Sequence, residues 1–246
     1  SEPRLWDYHM ERLREGCRRL GFAQPDAEQL RAGLDEELHA SAEDTSCCVA
    51  KLVISAAPTG RGYGRAIPSV IQIWVGIFPA APLDPGAYCD GVETMICETR
   101  LATGPLLAGI KTLNRLEQVL ARSECAQSGA FEGLTLDADG RIICGTMSNV
   151  FIVRDNRVMT PSLERCGVAG IMRRLVIEEL GLAGQPVEIT DLDVDALVTA
   201  DEVFLTNSQY GAVPVSRCDS SEWPVGPTTR AVMTMLAKRG IHECRQ

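Results

Sequence analysis

The sequence is short of the residues that metal centres, membrane anchors and nucleic-acid surfaces require. It holds three histidines, His9, His39 and His242, far apart along the chain, so a histidine-based metal site is not expected. Its ten cysteines, at 17, 47, 48, 89, 97, 125, 144, 166, 218 and 244, form no CxxC pair, and several lie inside apolar runs. That is the distribution of reduced thiols rather than of a disulfide framework or a zinc site. No apolar run approaches the roughly 20 residues of a membrane span, and the opening Ser-Glu-Pro-Arg does not read as a signal peptide. Lysine and arginine number 24 against 33 aspartates and glutamates, a formal charge of −9. Such a balance speaks against a broad surface for nucleic-acid phosphates and leaves room for a small anion held by a few local groups. The expectation is a cytoplasmic protein without metal, nucleic-acid partner or membrane partner.

What is present is ordinary globular material: 246 residues, 45% apolar and 23% charged, enough for a core that needs no covalent staples. Trp6, Met10, Leu13, Cys17 and Leu20 recur at helical spacing and stop at Gly21. A second helix is predicted after Pro25, with Leu30, Leu34 and Leu38 as its stripe. The runs "CCVAKLVIS", "SVIQIWVGIF" and "VETMIC" read as strands of one sheet. After "GPLLAG" a helix carrying Leu113, Leu116 and Leu120 is predicted. Then come the strands "EGLTLD", "RIIC", "NVFIVRD" and "RVMT", a helix from about Ile171 to Leu180, the strands "VEIT", "EVFLTN" and "AVPVSRC", and a helix from Pro227 to Arg239. Short strands with scattered helices, in place of repeating βαβ units, predict an α+β protein with a mixed sheet or pseudobarrel. The expected domains are a smaller one over 1–104, a linker over 105–110 and a larger one over 111–246.

Three segments could carry chemistry. In "VAGIMRRLVIEEL" (168–180) small residues and Gly170 precede a helix whose first amides and positive dipole end suit an anion; many helices begin after glycine with no ligand. Lys111, in "LLAGIKTLNRLEQVLARSE", stands at a linker-to-helix junction among apolar neighbours, where partial desolvation would suit an imine-forming amine; the plain alternative is a snorkelling lysine. In "FLTNSQYGAVPV" (204–215) Asn207 and Ser208 end a strand, where polar side chains line pockets or cap turns.

The order "GIKTLNRLEQVLAR", "EGLTLDADGRIICGTMSNVFIVRD", "TPSLERCGVAGIMRR", "TNSQYGAVPV" resembles the fold-type IV pyridoxal-phosphate enzymes, most closely the 4-amino-4-deoxychorismate lyases. The resemblance implies two domains with pyridoxal 5'-phosphate in the cleft between them, a homodimer, and release of pyruvate with formation of 4-aminobenzoate. It places Lys111 as the lysine that forms the imine and shuttles the proton. Arg12 matches the arginine that binds the cofactor phosphate, Ile171 and Met172 the amides that hold it beside Gly170, and Ser208 a hydroxyl that reaches it. Cys144, Ser148 and Asn149 fall on the strand and loop under the cofactor ring, Asn207 beside the substrate, and Arg61 and Tyr63 in a loop that closes over the site.

The sequence also departs from the family. Cys144 stands where a glutamate usually supports the protonated ring nitrogen, which implies a weaker electron sink, since a thiol cannot do what a carboxylate does there. Relatives carry a strand pair and a glycine-rich segment before the helix of Arg12. An aminotransferase of the same fold, or an impaired homologue, remains open at this stage.

Overall fold

The computed structural model describes residues 3–41, 47–58 and 62–244. The chain divides into two compact units, Ser1–Ala81 and Pro82–Gln246.

In the first unit α1 (Trp6–Leu20) ends as its spacing predicts: Gly21 takes φ 66° and its N–H returns to the Arg18 and Cys17 carbonyls, an αL stop that a Cβ would oppose. The carboxylate of Asp26 caps α2 (Ala27–Ala40) by accepting from the Glu28 and Gln29 amides, a contribution of about 1 kcal/mol. Strands β1 (Cys48–Ala56) and β2 (Ile71–Pro79) make an antiparallel pair.

The second unit begins with α3 (Gly86–Cys89) and β3 (Val92–Leu101) and continues through α4 (Leu116–Ser128), β4 (Glu132–Asp137), β5 (Ile142–Gly145), β6 (Asn149–Arg154) and β7 (Arg157–Pro161). It closes with α5 (Ile171–Leu182), β8 (Glu188–Thr190), α6 (Val194–Val198), β9 (Glu202–Asn207), β10 (Gly211–Cys218), β11 (Ser221–Glu222) and α7 (Pro227–Lys238). One mixed sheet runs β5-β4-β3-β10-β9-β6-β7-β8, with β11 paired to β10. The edge strand β5 also approaches β6 and β7 from the far side of that order, so the sheet curls into the expected pseudobarrel. Strands β4 and β5 are buried along their whole length, as β6 and β9 are but for their last residue, so that Glu132, Thr135, Asp137, Glu202 and Thr206 are buried polar side chains within them. Phe151 and Phe204, register partners on β6 and β9, stack with ring centroids 4.8 Å apart.

Two expectations are corrected. The strand "VETMIC" is not a third strand beside β1 and β2: β3 pairs in parallel with β4 and β10, so residues 82–104 pack with the larger unit and the division falls at Ala81/Pro82 rather than at 104. These pairings are long-range, and nothing local in the sequence announces them. The stripe Leu113, Leu116 and Leu120 does not face the core either. These side chains are exposed, while α4 seats Ala121 and Cys125 against Cys97 of β3.

Candidate active site

Lys111 lies on the loop before α4, not in the helix. Main-chain bonds from Gly109 to Gly167 and from Ala169 to Gly109 lace this loop to the one entering α5. Ile110 turns into the core while Lys111 is exposed. This corrects the expectation of a partly buried lysine: its apolar neighbours alternate inward and outward, and Leu113 points to solvent.

The start of α5 is set by Asn149, the first residue of β6. Its side-chain oxygen accepts from the Gly170 N–H at 3.1 Å and its side-chain nitrogen donates to the Val168 carbonyl at 3.0 Å. Gly170 is required there, because a Cβ would overlap the Asn149 oxygen. No side chain caps the helix. The first intrahelical donor is the Arg174 N–H; ahead of it Ile171, Met172 and Arg173 are buried, and among the described residues their N–H groups meet no acceptor. Buried amides without partners are costly unless something satisfies them. Arg173 adds a second demand. Among the described residues its guanidinium bonds only neutral oxygens, Thr160 Oγ1 and the Pro161 carbonyl, and burial pushes its pKa down to about 10, still a cation at neutral pH. A donor set of free amides beside an uncompensated buried cation fits a phosphate group.

Cys144 is buried on β5, in a cluster with Leu101, Ile143 and Cys166. Its thiol is pushed up to about 11 by burial and by the nearby Glu132 carboxylate, against the opposing effects of Thr135 and Arg115. It is therefore neutral at ordinary pH. The carboxylate of this region is Glu132, wholly buried at the start of β4. It accepts from the Thr146 N–H at 3.0 Å, the Met147 N–H at 3.2 Å and the Ser148 hydroxyl at 2.8 Å. Glu132 thus shapes the 145–148 loop, and the Ser148 hydroxyl is spent on it. The sequence reading missed Glu132; its one signal was an acid opening a predicted strand.

Asn207 and Ser208 follow β9, whose Thr206 pairs in register with Asn149, so they come to the same end of the sheet as the start of α5. The Asn207 side-chain oxygen caps its own turn, accepting from Gln209 and Tyr210, and Ser208 is exposed. The Thr206 hydroxyl, also missed, is buried with no partner among the described residues. Arg12, Arg61 and Tyr63 belong to the first unit. The Arg12 guanidinium is half-buried on α1 with its pKa lowered by that burial, and among the described residues it forms no ion pair. Tyr63 is fully exposed; Arg61 lies outside the described residues. Among the described residues no group of His, Cys, Asp and Glu could hold a metal ion.

Comparison with known proteins bears on the family and the fold. The sequence profile of the amino-transferase class IV family matches residues 1–218. An aminodeoxychorismate lyase of Vibrio harveyi is 39% identical over 238 residues, covering 94% of this chain and 85% of its own. The crystal structure of 4-amino-4-deoxychorismate lyase from Pseudomonas aeruginosa superposes with a TM-score of 0.89 at 41% identity, over 96% of this chain and 86% of that one. An aminotransferase from Brucella abortus bound to the co-factor PLP shares the fold, with a TM-score of 0.81 at 21% identity over 95% and 82% of the two chains.

Proposed function

This chain belongs to the aminotransferase class IV family, and from that premise we propose that it is a pyridoxal 5'-phosphate-dependent lyase converting 4-amino-4-deoxychorismate to 4-aminobenzoate and pyruvate. The observation that carries the reading is the uncapped start of α5, with its unmatched buried amides, tied by Gly109 to the loop of Lys111. The identity to the Vibrio and Pseudomonas lyases directs it to this substrate.

The Ile171 and Met172 amides would hold the cofactor phosphate, with the Arg173 charge behind them and Ser208 as a further donor. When bound, the cofactor supplies an electron sink for the carbon that bears the substrate amine. Lys111 would hold the cofactor covalently through its amine, yield that place to the substrate amine, and then take the proton from the amine-bearing carbon. The carbon–oxygen bond to the enolpyruvyl group breaks, the departing enol takes up a proton and becomes pyruvate, and the ring becomes aromatic. One proton leaves carbon, one is delivered, and no water is consumed. Asn149 and Glu132 position the amides and the 145–148 loop. Asn207 is proposed to face the substrate.

The protein with added pyridoxal phosphate should release pyruvate from 4-amino-4-deoxychorismate with no 2-oxo acid present. Borohydride should fix the cofactor on Lys111, which mass mapping can separate from Lys51 and Lys238, the other two lysines of the chain. Label on either of those, or none, sinks the assignment; amino-group transfer to a 2-oxo acid in place of pyruvate release would make the chain an aminotransferase.

A homodimer is part of the same proposal. Leu113, Leu116, Val119 and Leu120 leave 52–67% of their surface exposed along one face of α4 and its approach, a patch of the kind that marks an interface. Leu116→Asp with Leu120→Asp should convert a sedimenting dimer to monomer; a monomeric wild type overturns it. Among the described residues no helix is long and apolar enough to cross a membrane, and all ten cysteines are free thiols, which supports a reducing compartment such as the cytoplasm.

A further inference from the structure

Arg115 has no place in the mechanism above, yet it grips the two residues that flank Lys111. It occupies the N-cap position of α4 and makes no cap. Its side chain turns back along the loop instead. Nε donates to the Thr112 carbonyl at 3.1 Å, and Nη2 donates to the Ile110 carbonyl at 2.9 Å and to Thr112 Oγ1 at 3.1 Å. The Thr112 N–H also returns to the Ile110 carbonyl at 3.2 Å, so Lys111 is the central residue of a three-residue turn. A side chain at the centre of such a turn is aimed by the turn, and this one is closed by a single guanidinium fork. The fork is half-buried, and among the described residues every hydrogen bond it makes goes to a neutral oxygen.

We propose that Arg115 is the positioning residue for Lys111, its fork fixing the backbone from which the reactive amine projects. This rests on the assignment of Lys111 as the cofactor lysine. An amine held in one orientation reacts as if at high effective concentration, and that advantage is lost when its backbone rotates freely. Lysine cannot replace the fork, because an ammonium is a point donor that does not hold two carbonyls in one plane.

The test compares the wild type with Arg115→Gln and Arg115→Lys; the second keeps the charge and most of the packing should the first fold poorly. In the protein without cofactor, amide hydrogen exchange at Lys111 and Thr112 should accelerate about tenfold or more in both variants, with α5 and the sheet unchanged. With pyridoxal phosphate, borohydride trapping on Lys111 should slow about tenfold, and kcat should fall about 10- to 100-fold while KM stays within about threefold. Arg115→Lys should recover only a minor part. Wild-type exchange together with wild-type trapping in the two variants overturns the role of Arg115. Absence of trapping on Lys111 in the wild type itself strikes the cofactor assignment, and the exchange measurement still decides whether Arg115 holds the turn.

Discussion

Two helices of the larger unit start in the same way and end up in opposite electrostatic states. Both α5 and α7 follow a glycine, Gly170 and Gly226, and neither has a side-chain cap. At α7 Pro227 brings no donor, and the Thr228 and Thr229 amides with the Thr229 hydroxyl all donate to the buried Glu202 carboxylate at 2.7–3.0 Å. The chain supplies its own anion, and a Cβ at Gly226 would overlap it. At α5 the glycine cradle is filled by the neutral Asn149, the amides of Ile171 and Met172 are unmatched among the described residues, and a buried guanidinium stands in the first turn. One helix is closed by a carboxylate of the protein; the other, on the function proposed above, would be closed by an anion from outside.

Removing the internal anion should have the largest effect on stability. Glu202→Ala leaves two buried amides and a hydroxyl unpaired, at about 1–3 kcal/mol for each group not rescued by water, so a loss of about 3 kcal/mol is expected in urea unfolding. A loss under about 1 kcal/mol would mean that α7 does not depend on its carboxylate. The variant should still gain stability from pyridoxal phosphate, because α5 is untouched.

The complementary experiment supplies the external anion. Pyridoxal phosphate at a hundred times its dissociation constant should stabilise the wild type by about 2.7 kcal/mol. Gly170→Ala, which drives a methyl into the Asn149 oxygen and displaces the loop that presents the amides, should lose most of that increment. An undiminished increment in Gly170→Ala would show that the phosphate is held elsewhere.

The two helix starts also differ in how far they could be read in advance. Gly170 before an amphipathic run made α5 a candidate anion site from sequence, because donor and helix are local. Its contrast with α7 was invisible: Glu202 lies 26 residues before the amide it caps, and in "EVFLTN" it looks like a solvated strand end. Glu132 hid in the same way, 14 residues from Thr146. The strand order failed for the related reason that the parallel partners of β3 come from β4 and β10, both distant in sequence. Helical periodicity misplaced the buried face of α4 because small residues, Ala121 and Cys125, make the contact while the leucines face out.

A smaller effect separates the thiol near α5 from the carboxylate at α7. Cys144 titrates in the fold near 11 instead of at the ordinary 9.0. Between those values the folded state keeps a proton that the unfolded state gives up, so the stability this group contributes is complete below pH 9 and lost as pH rises to 11. Its share is on the order of 2–3 kcal/mol. Unfolding free energies of the wild type and Cys144→Ala, followed from pH 8 to 11, should converge by about that amount; parallel curves would place the thiol in contact with solvent.

The finest discrimination puts a carboxylate on the α5 side as well. Cys144→Glu would set an anion close to Arg115 and the Val168 main chain, both neighbours of the present sulfur. If the cofactor ring lies against this position, as the family resemblance implies, a carboxylate raises the proton affinity of the ring nitrogen and deepens the electron sink. Elimination ends in an aromatic product and gains little from a deeper sink, whereas transfer of the amino group depends on it. The ratio of transamination to pyruvate release should therefore rise about tenfold, which corresponds to about 1.4 kcal/mol between the two barriers. The absorption of the bound cofactor should change its pH dependence in parallel. Unchanged spectra and an unchanged ratio would place residue 144 away from the ring and leave its sulfur as core packing with Leu101, Ile143 and Cys166.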